Sequence, residues 1–464
     1  MKSRRKFIKG SLAVSAGFSS LGLFTSSSAK SKYAKGEYFP KYGPLERKTK
    51  NIIDVPNGFS VKVISQRGQL MDDGFYVPGK PDGMAAFQLD ESRTAVVRNH
   101  ETTPDQFSSG EGPWGTRNEL LPQMHRNMIY DYGNGTLPCI GGTSTFIYNH
   151  NTGEVETQYL SLAGTIRNCA GGLTPWGTWI TCEEAVDRKG GYYGKLEKNH
   201  GYNFEVQVSP NPRMSEPVPL KEMGRFNHEA VAVDPQSGIV FQTEDRGDGL
   251  FYRYIPNVKG QLAKGGKLQA LALRDRKSAD TRNWPLLSWN KIQVGVPHDV
   301  EWIDLENVES PYDELRSQGY SKGAAKFARG EGAWWGDKEM YIACTNGGRN
   351  LQGQVFKYIP SPEEGQPGEK KKPGKLVLYA EPNDSALLSH CDNLTVAPWG
   401  DVVMCEDNES PRLVGINPEG QLYLIAHNHS IPSEFTGACF SPNGRTLFIN
   451  IQHAGMTLAI EGPW

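Results

Sequence analysis

The 464-residue chain has no C-x-x-C pair, no long heptad or helical stripe and no excess charge of one sign. Each absence removes a class of protein. Closely spaced Cys and His ligands would mark a zinc site, and a long heptad a coiled coil. The balance of 50 basic against 52 acidic residues leaves no electrostatic footprint for nucleic acid or an anionic membrane. Seven cysteines, at positions 139, 169, 182, 344, 391, 405 and 439, are an odd number. A chain that folds in a reducing cytosol is not expected to rely on a disulfide framework. The mildly apolar run from Gly10 to Phe24 is too short and too rich in Ser and Gly to span a bilayer as a stable helix, so no stable membrane anchor is expected.

Turn chemistry is abundant instead. Fifty-two Gly, 30 Pro and 10% aromatics favour an all-β protein. Six stretches share one layout: a small or acidic residue, an apolar strand, a turn, a second apolar strand and a polar residue. They run from Gly83 to Glu101, Cys169 to Glu183, Glu229 to Glu244, Glu331 to Thr345, Asp392 to Glu406 and Gly437 to Gln452. The turns are built from Asp234-Pro235, Ser441-Pro442-Asn443-Gly444 and the matching Pro175-Trp176-Gly177 and Pro398-Trp399-Gly400. A recurring hairpin with further strands between its copies predicts a radial array of small sheets, a six-bladed β-propeller with inserted loops and short helices over one face. Thr143–Tyr148, Glu154–Leu160, Tyr202–Val208, Gly249–Tyr254, Gly353–Tyr358 and Lys375–Tyr379 read as outer strands. Thr102–Met128 and Asn307–Lys326 read as long insertions over one face, and Ser361–Lys375 as a solvated hairpin loop.

Ser3-Arg4-Arg5-Lys6-Phe7-Ile8-Lys9 resembles a twin-arginine signal. Residues 1–29 are therefore expected to be a targeting segment, and residues 30–464 a single propeller catalytic domain. Removing the segment leaves 45 basic against 52 acidic residues. That signal implies export by the twin-arginine machinery to the periplasm or beyond, after folding and cofactor insertion.

In a propeller, one position of every blade faces a common axis. Here these positions are mostly acids: Glu101, Glu183, Glu229, Glu244, Glu331, Asp392 and Glu406. Converging carboxylates cost several kcal/mol per buried ion unless they are compensated. Hard oxygen ligands in that number suit calcium or a highly charged iron. Cys182, Cys344, Cys405 and Cys439 lie inside apolar strands and read as core. Cys169 begins a blade before the flexible Ala170-Gly171-Gly172, where it is either core or a ligand on the rim. The Glu of Asn99-His100-Glu101 and of Asn227-His228-Glu229 is assigned to the axis and the His to the core, because adjacent strand residues face opposite ways. Arg329 shares a face with Glu331 and suits an anion clamp or a plain surface ion pair.

Taken in order, Arg-Arg-x-Phe, Asn99-His-Glu101, Asn168-Cys-Ala-Gly-Gly172, Thr181-Cys-Glu-Glu184 and Gly224-Arg-Phe-Asn-His-Glu229 resemble the PhoX-type alkaline phosphatases. So do Thr243-Glu-Asp245, Arg329-Gly-Glu-Gly332, Thr345-Asn-Gly-Gly348, Cys391-Asp-Asn393 and the run from Phe435-Thr-Gly437 to Asn450-Ile-Gln-His453. The resemblance implies hydrolysis of phosphomonoesters to inorganic phosphate by a monomer carrying a ferric iron pair and calcium ions. It implies Cys169 as the ligand bridging the irons, Glu229 and Glu331 as iron ligands, and the other axial acids mainly as calcium ligands. Arg329 and Asn168, with Asn393, are implied toward the phosphate, and no Ser or Asp phosphoenzyme is needed. The competing classes are a calcium-dependent propeller lactonase or esterase, with one axial calcium and a His, and a non-catalytic ligand-binding propeller.

Overall fold

The computed structural model describes residues 37–47, 52–286 and 291–464; the twin-arginine segment lies outside them. The described residues form an all-β fold with a propeller-like arrangement of sheets and a single short α-helix, Leu315–Lys322.

Each of the six hairpins of the sequence forms an antiparallel pair. Their first strands are Pro81–Gln88, Asn168–Leu173, His228–Val233, Gly330–Trp335, Cys391–Val396 and Phe435–Phe440. These strands neighbour one another in that order, and the last returns to the first. Between each pair of neighbours lies an apolar core. One of these cores contains Phe241, Phe251, Phe356 and Tyr358, drawn from the third and fourth hairpins and the strands beside them.

The sheets do not separate into six blades. Strands from His228 to Leu273 and from Gly330 to Ala380 belong to one nine-stranded sheet. The cause is Pro297–Asp304: its residues 300–304 pair with Gly266–Leu273, and its residues 297–299 with Lys375–Ala380. The last sheet is completed from the other end of the sequence, by Ser60–Gln66 against Met456–Glu461. Joining the two ends of a ring this way pairs an edge that would otherwise be exposed.

The Ser361–Lys375 segment is more than a solvated loop. Its Glu364 and Glu369 both bind the buried Arg253, with Arg253 Nη2 2.8 Å from Glu369. A buried guanidinium is costly unless it is paired, and this loop folds back to pair it. The Asn307–Lys326 insertion carries the helix, whose Arg316 reaches Asp313, Asp248 and Glu244.

Candidate metal centre

Every first strand carries a register irregularity immediately after its opening residues: between Pro81 and Met84, Asn168 and Gly171, His228 and Val231, Gly330 and Ala333, Cys391 and Leu394, and Thr436 and Cys439. A bulge adds a residue to one strand and re-aims its side chain. The leading bulge residues are Asp82, Cys169, Glu229, Glu331, Asp392 and Gly437, so five of the six carry ligand-type side chains. The residues that follow them are small except for Asn393, and two are glycines by necessity. A Cβ at Gly83 would sit 2.6 Å from Ala170 Cα, and one at Gly332 would sit 2.6 Å from the Leu394 nitrogen. Strands can approach the axis this closely only because those positions lack side chains. Gly83, Ala170, Ala230, Gly332, Asn393 and Ala438 line the axial cavity, and Trp334 lies further along it.

A second ring comes from the residue just beyond each second strand. Its backbone N–H donates to the carbonyl just before the first strand: Glu101 to Lys80 (2.9 Å), Glu184 to Arg167 (2.9 Å), Asp245 to Asn227 (3.2 Å), Thr345 to Arg329 (3.1 Å), Asp407 to His390 (2.9 Å) and Gln452 to Glu434 (3.3 Å). Four of the accepting residues are Lys80, Arg167, Arg329 and His390, with φ of 41°, 48°, 52° and 56°. Non-glycine residues rarely occupy this left-handed region, and here four of them recur at equivalent positions around the ring.

The two rings, together with Glu434 just before the last first strand, supply three overlapping groups: Cys169, Glu184 and Glu229; Glu229, Glu331 and Asp392; Asp392, Asp407 and Glu434. Within each, the ligand atoms lie within 4.8 Å of one another. Cys169, Glu229, Glu331 and Asp392 are thus brought together as expected. Glu101 stands beside them, accepting from Arg167 Nε (2.9 Å) and Gln452 Nε2 (2.8 Å). Gln452 Nε2 also donates to Asp82 Oδ2 at 2.8 Å, while Asp82 Oδ1 is buried with no hydrogen-bond partner.

Three expected acids are not in the cluster. Glu183 accepts from the backbone of Ile166 (2.9 Å), Gly201 (2.8 Å) and Tyr202 (3.2 Å), and faces His200 Nδ1 at 2.6 Å. Glu244 is held by the Leu250 N–H (3.0 Å) and the Tyr252 hydroxyl (2.7 Å). Glu406 is held by Arg412 and the Ser389 N–H. The reason is strand alternation: the acid ending each second strand faces into its own sheet, and the following Glu184, Asp245 or Asp407 belongs to the axial ring. Asn168 is also turned away. Its amide donates to Thr181 Oγ1 (2.9 Å) and accepts from Thr165 Oγ1 (2.6 Å), so it fixes the strand that presents Cys169. Asn393 stays on the axis, accepting from the Gly437 N–H at 2.5 Å.

Sequence reasoning missed Asp82, Glu184, Asp245, Asp407 and Glu434 as site residues. The signal was present in the Glu-Glu, Glu-Asp and Glu-Asp pairs at 183–184, 244–245 and 406–407. The alternation that assigned Glu101 over His100 applies equally to them. His100 does lie in the core, between the Gly79 carbonyl (2.9 Å) and Ser144 (2.8 Å), and His228 contacts the Gly224 carbonyl at 3.0 Å.

Arg329 donates to both oxygens of Asp245, at 2.9 and 3.1 Å, and to Glu331 at 2.7 Å. Arg167 is held the same way by Glu101 and Glu184. Burial, followed by repulsion from Glu331 and Glu184, raises the Glu229 carboxyl well above its ordinary value. Burial, then Asp245 and Asp392, does the same to Glu331. Burial and the nearby Asp407 push Asp392 up to about 7, and burial followed by Glu229 raises the Cys169 thiol. Carboxyls raised by one another's charge, an unpartnered buried oxygen and one sulfur among hard oxygens form a donor set suited to multivalent cations. Among the described residues, no His joins these groups.

A family model described as alkaline phosphatase PhoX matches residues 40–131 and 139–455. Among solved structures, PhoX of Pseudomonas fluorescens in complex with vanadate, a transition-state analogue, is similar at TM-score 0.62 and 17% identity, over 88% of this chain and 96% of that one. A gluconolactonase of Xanthomonas campestris matches at TM-score 0.38 and 12% identity, over 91% and 98% of the two chains. A search of curated proteins returns no match.

Proposed function

Because the chain belongs to the PhoX alkaline phosphatase family, a family of metal-dependent phosphomonoester hydrolases, we propose that the two rings of acids form its metal centre. We also read the described residues as one six-bladed propeller, a single catalytic domain after the targeting segment. Six equivalent bulges and six equivalent closing hydrogen bonds support that count, with Pro297–Asp304 bridging the edges of two adjacent blades.

The observation that carries the site assignment is the overlap of three ligand groups at the bulges. Softness sorts them. Cys169, Glu229 and Glu331 would hold the iron pair, since only this end offers a thiolate; Asp392, Asp407 and Glu434, all oxygen, suit calcium. Glu184, Asp82 and Glu101 complete the surroundings. When bound, the cations supply Lewis-acid charge that offsets charge developing on the transferring phosphoryl group.

The chain's own part is orientation. Asp245 and Glu331 hold the Arg329 fork in one plane before substrate arrives, so an anion at the cluster meets a donor already ordered. Arg167, held by Glu101 and Glu184, approaches from the second hairpin, two places around the ring from the fourth, which Arg329 precedes. The left-handed backbone at Lys80, Arg167, Arg329 and His390 starts four basic side chains from equivalent places on the rim. That arrangement favours a small, doubly charged phosphate monoester over a neutral carboxylic ester.

Metal analysis of the purified protein beside a phosphomonoesterase assay tests this reading. Iron and calcium together with alkaline phosphatase activity are expected; calcium alone, or metals without turnover, would remove the iron assignment or the chemistry. The mature protein is proposed to be a periplasmic or secreted monomer exported through the twin-arginine pathway. Among the described residues no helix is long and apolar enough to cross a membrane.

A further inference from the structure

Away from the axis, Asp54, His427 and His429 gather where the N-terminal segment meets the outermost strand of the fifth hairpin's sheet, Leu422–His427. Their ligand-capable atoms lie within 4.8 Å of one another. Asp54 and His427 are joined through their backbones, Asp54 N–H to the His427 carbonyl at 2.9 Å and His427 N–H to the Asp54 carbonyl at 3.0 Å. His429 Nδ1 faces Asp54 Oδ2 at 3.0 Å, with both side chains partly open to solvent.

We propose that Asp54, His427 and His429 form a second metal site, for a divalent transition ion of the zinc class, that clasps the N-terminal segment to this sheet. Two imidazoles and one carboxylate are a frequent ligand set for such ions and a poor one for calcium. Ligands about 2.1 Å from a tetrahedral ion lie roughly 3.4 Å apart, so the 3.0 Å separation of His429 and Asp54 needs only a small adjustment. His427 already has an outer partner, because Ser410 Oγ sits 2.9 Å from its Nε2. A hydroxyl that accepts a hydrogen bond from Nε2–H fixes the ring and leaves the Nδ1 lone pair for a metal.

The site has a structural consequence. The segment before Asp54 lies along the same sheet, with Phe39 N–H on the Leu422 carbonyl at 2.7 Å and the Tyr38 hydroxyl on the Leu387 carbonyl at 3.0 Å. Just after Asp54, Ser60–Gln66 completes the neighbouring sheet. A metal held by residues from both sides pins the chain where it passes from one sheet to the next, and resists fraying at the closure of the ring.

The inference is independent of the axial centre, since it uses none of that centre's residues. Tag-free mature protein, carrying its own axial metals, is dialysed against low-micromolar zinc, and zinc per chain is measured. The wild type is expected to hold one zinc more than His429→Ala and than Asp54→Asn, which preserves the shape of the carboxylate. Ser410→Ala should weaken uptake roughly tenfold or more. Zinc should raise the melting temperature of the wild type only, and phosphatase activity should be equal in all four proteins. Equal zinc content in the wild type and the first two variants, or no zinc taken up by the wild type, overturns the proposal.

Discussion

Glu406 and Asp407 are neighbours in the chain whose carboxylates face opposite environments. Glu406 accepts from the Arg412 guanidinium at 2.6 and 2.8 Å and from two backbone N–H groups, inside its own sheet. Asp407 stands with Asp392 and Glu434 on the axis. The same division separates Glu183 from Glu184 and Glu244 from Asp245.

This division predicts opposite phenotypes for adjacent substitutions. Asp407→Asn should reduce bound calcium and phosphatase activity while leaving the melting temperature of the chelator-stripped protein nearly unchanged. Glu406→Gln removes the charge that balances the half-buried Arg412, at a cost of about 1 to 3 kcal/mol to folding, but should leave bound calcium per folded chain intact. Metal content and melting curves of the two variants check this. Calcium loss in the second variant alone would reverse the assignment.

Cys169→Ser exchanges a soft thiolate donor for a hydroxyl that stays protonated. Iron content and activity should therefore fall together, read by metal analysis and turnover of an aryl phosphate. Near-normal activity would mean that the Cys169 sulfur, 3.3 Å from the His228 carbonyl, is only a core group.

Arg329→Ala should act differently. Removing a charge-assisted donor to the transition state costs about 3 kcal/mol, a loss of roughly a hundredfold in kcat/KM, with iron retained. Because Arg329 also spans Asp245 and Glu331, Arg329→Lys is the informative partner. It keeps the charge and loses the fork, so it should likewise retain iron and recover activity only in part.

The raised carboxyls give stability a definite pH dependence. Asp392 is pushed up to about 7 by burial and then Asp407, against about 3.9 for an unfolded Asp. A group raised in the folded state favours folding below its unfolded value, and that contribution is lost as pH rises through about 4 to 7. Chelator-stripped protein should therefore have a lower urea midpoint at pH 8 than at pH 5. Calcium should restore more at pH 8, where the carboxyls bind it without first releasing protons. A midpoint independent of pH and calcium would place these acids in solvent.

Export can be checked separately. Replacing Arg4 and Arg5 with Lys should abolish accumulation of the mature protein outside the cytoplasm, and undiminished export would exclude the twin-arginine route.

Much of this protein is written along the chain. The alternation and turns of the six hairpins determine six antiparallel pairs, because side-chain period and turn chemistry are local properties. The identity of Cys169, Glu229, Glu331 and Asp392 as the first residues of their repeats was likewise legible, as was the burial of His100 and His228. What only the tertiary structure decided is which residue at the start of each first strand meets the axis, because that is where the bulges lie. A bulge shifts register by one residue, and a one-residue shift turns a side chain to the opposite face. Asp82, one position before the start of its recognised repeat, is drawn into the cluster for this reason, and Asn168 is turned away from it. Glu434 reaches the same cluster from the last repeat, and Pro297–Asp304 joins two sheets that the hairpin pattern keeps apart. Such outcomes depend on which strand edge comes to lie beside which, a long-range packing property that no local pattern contains.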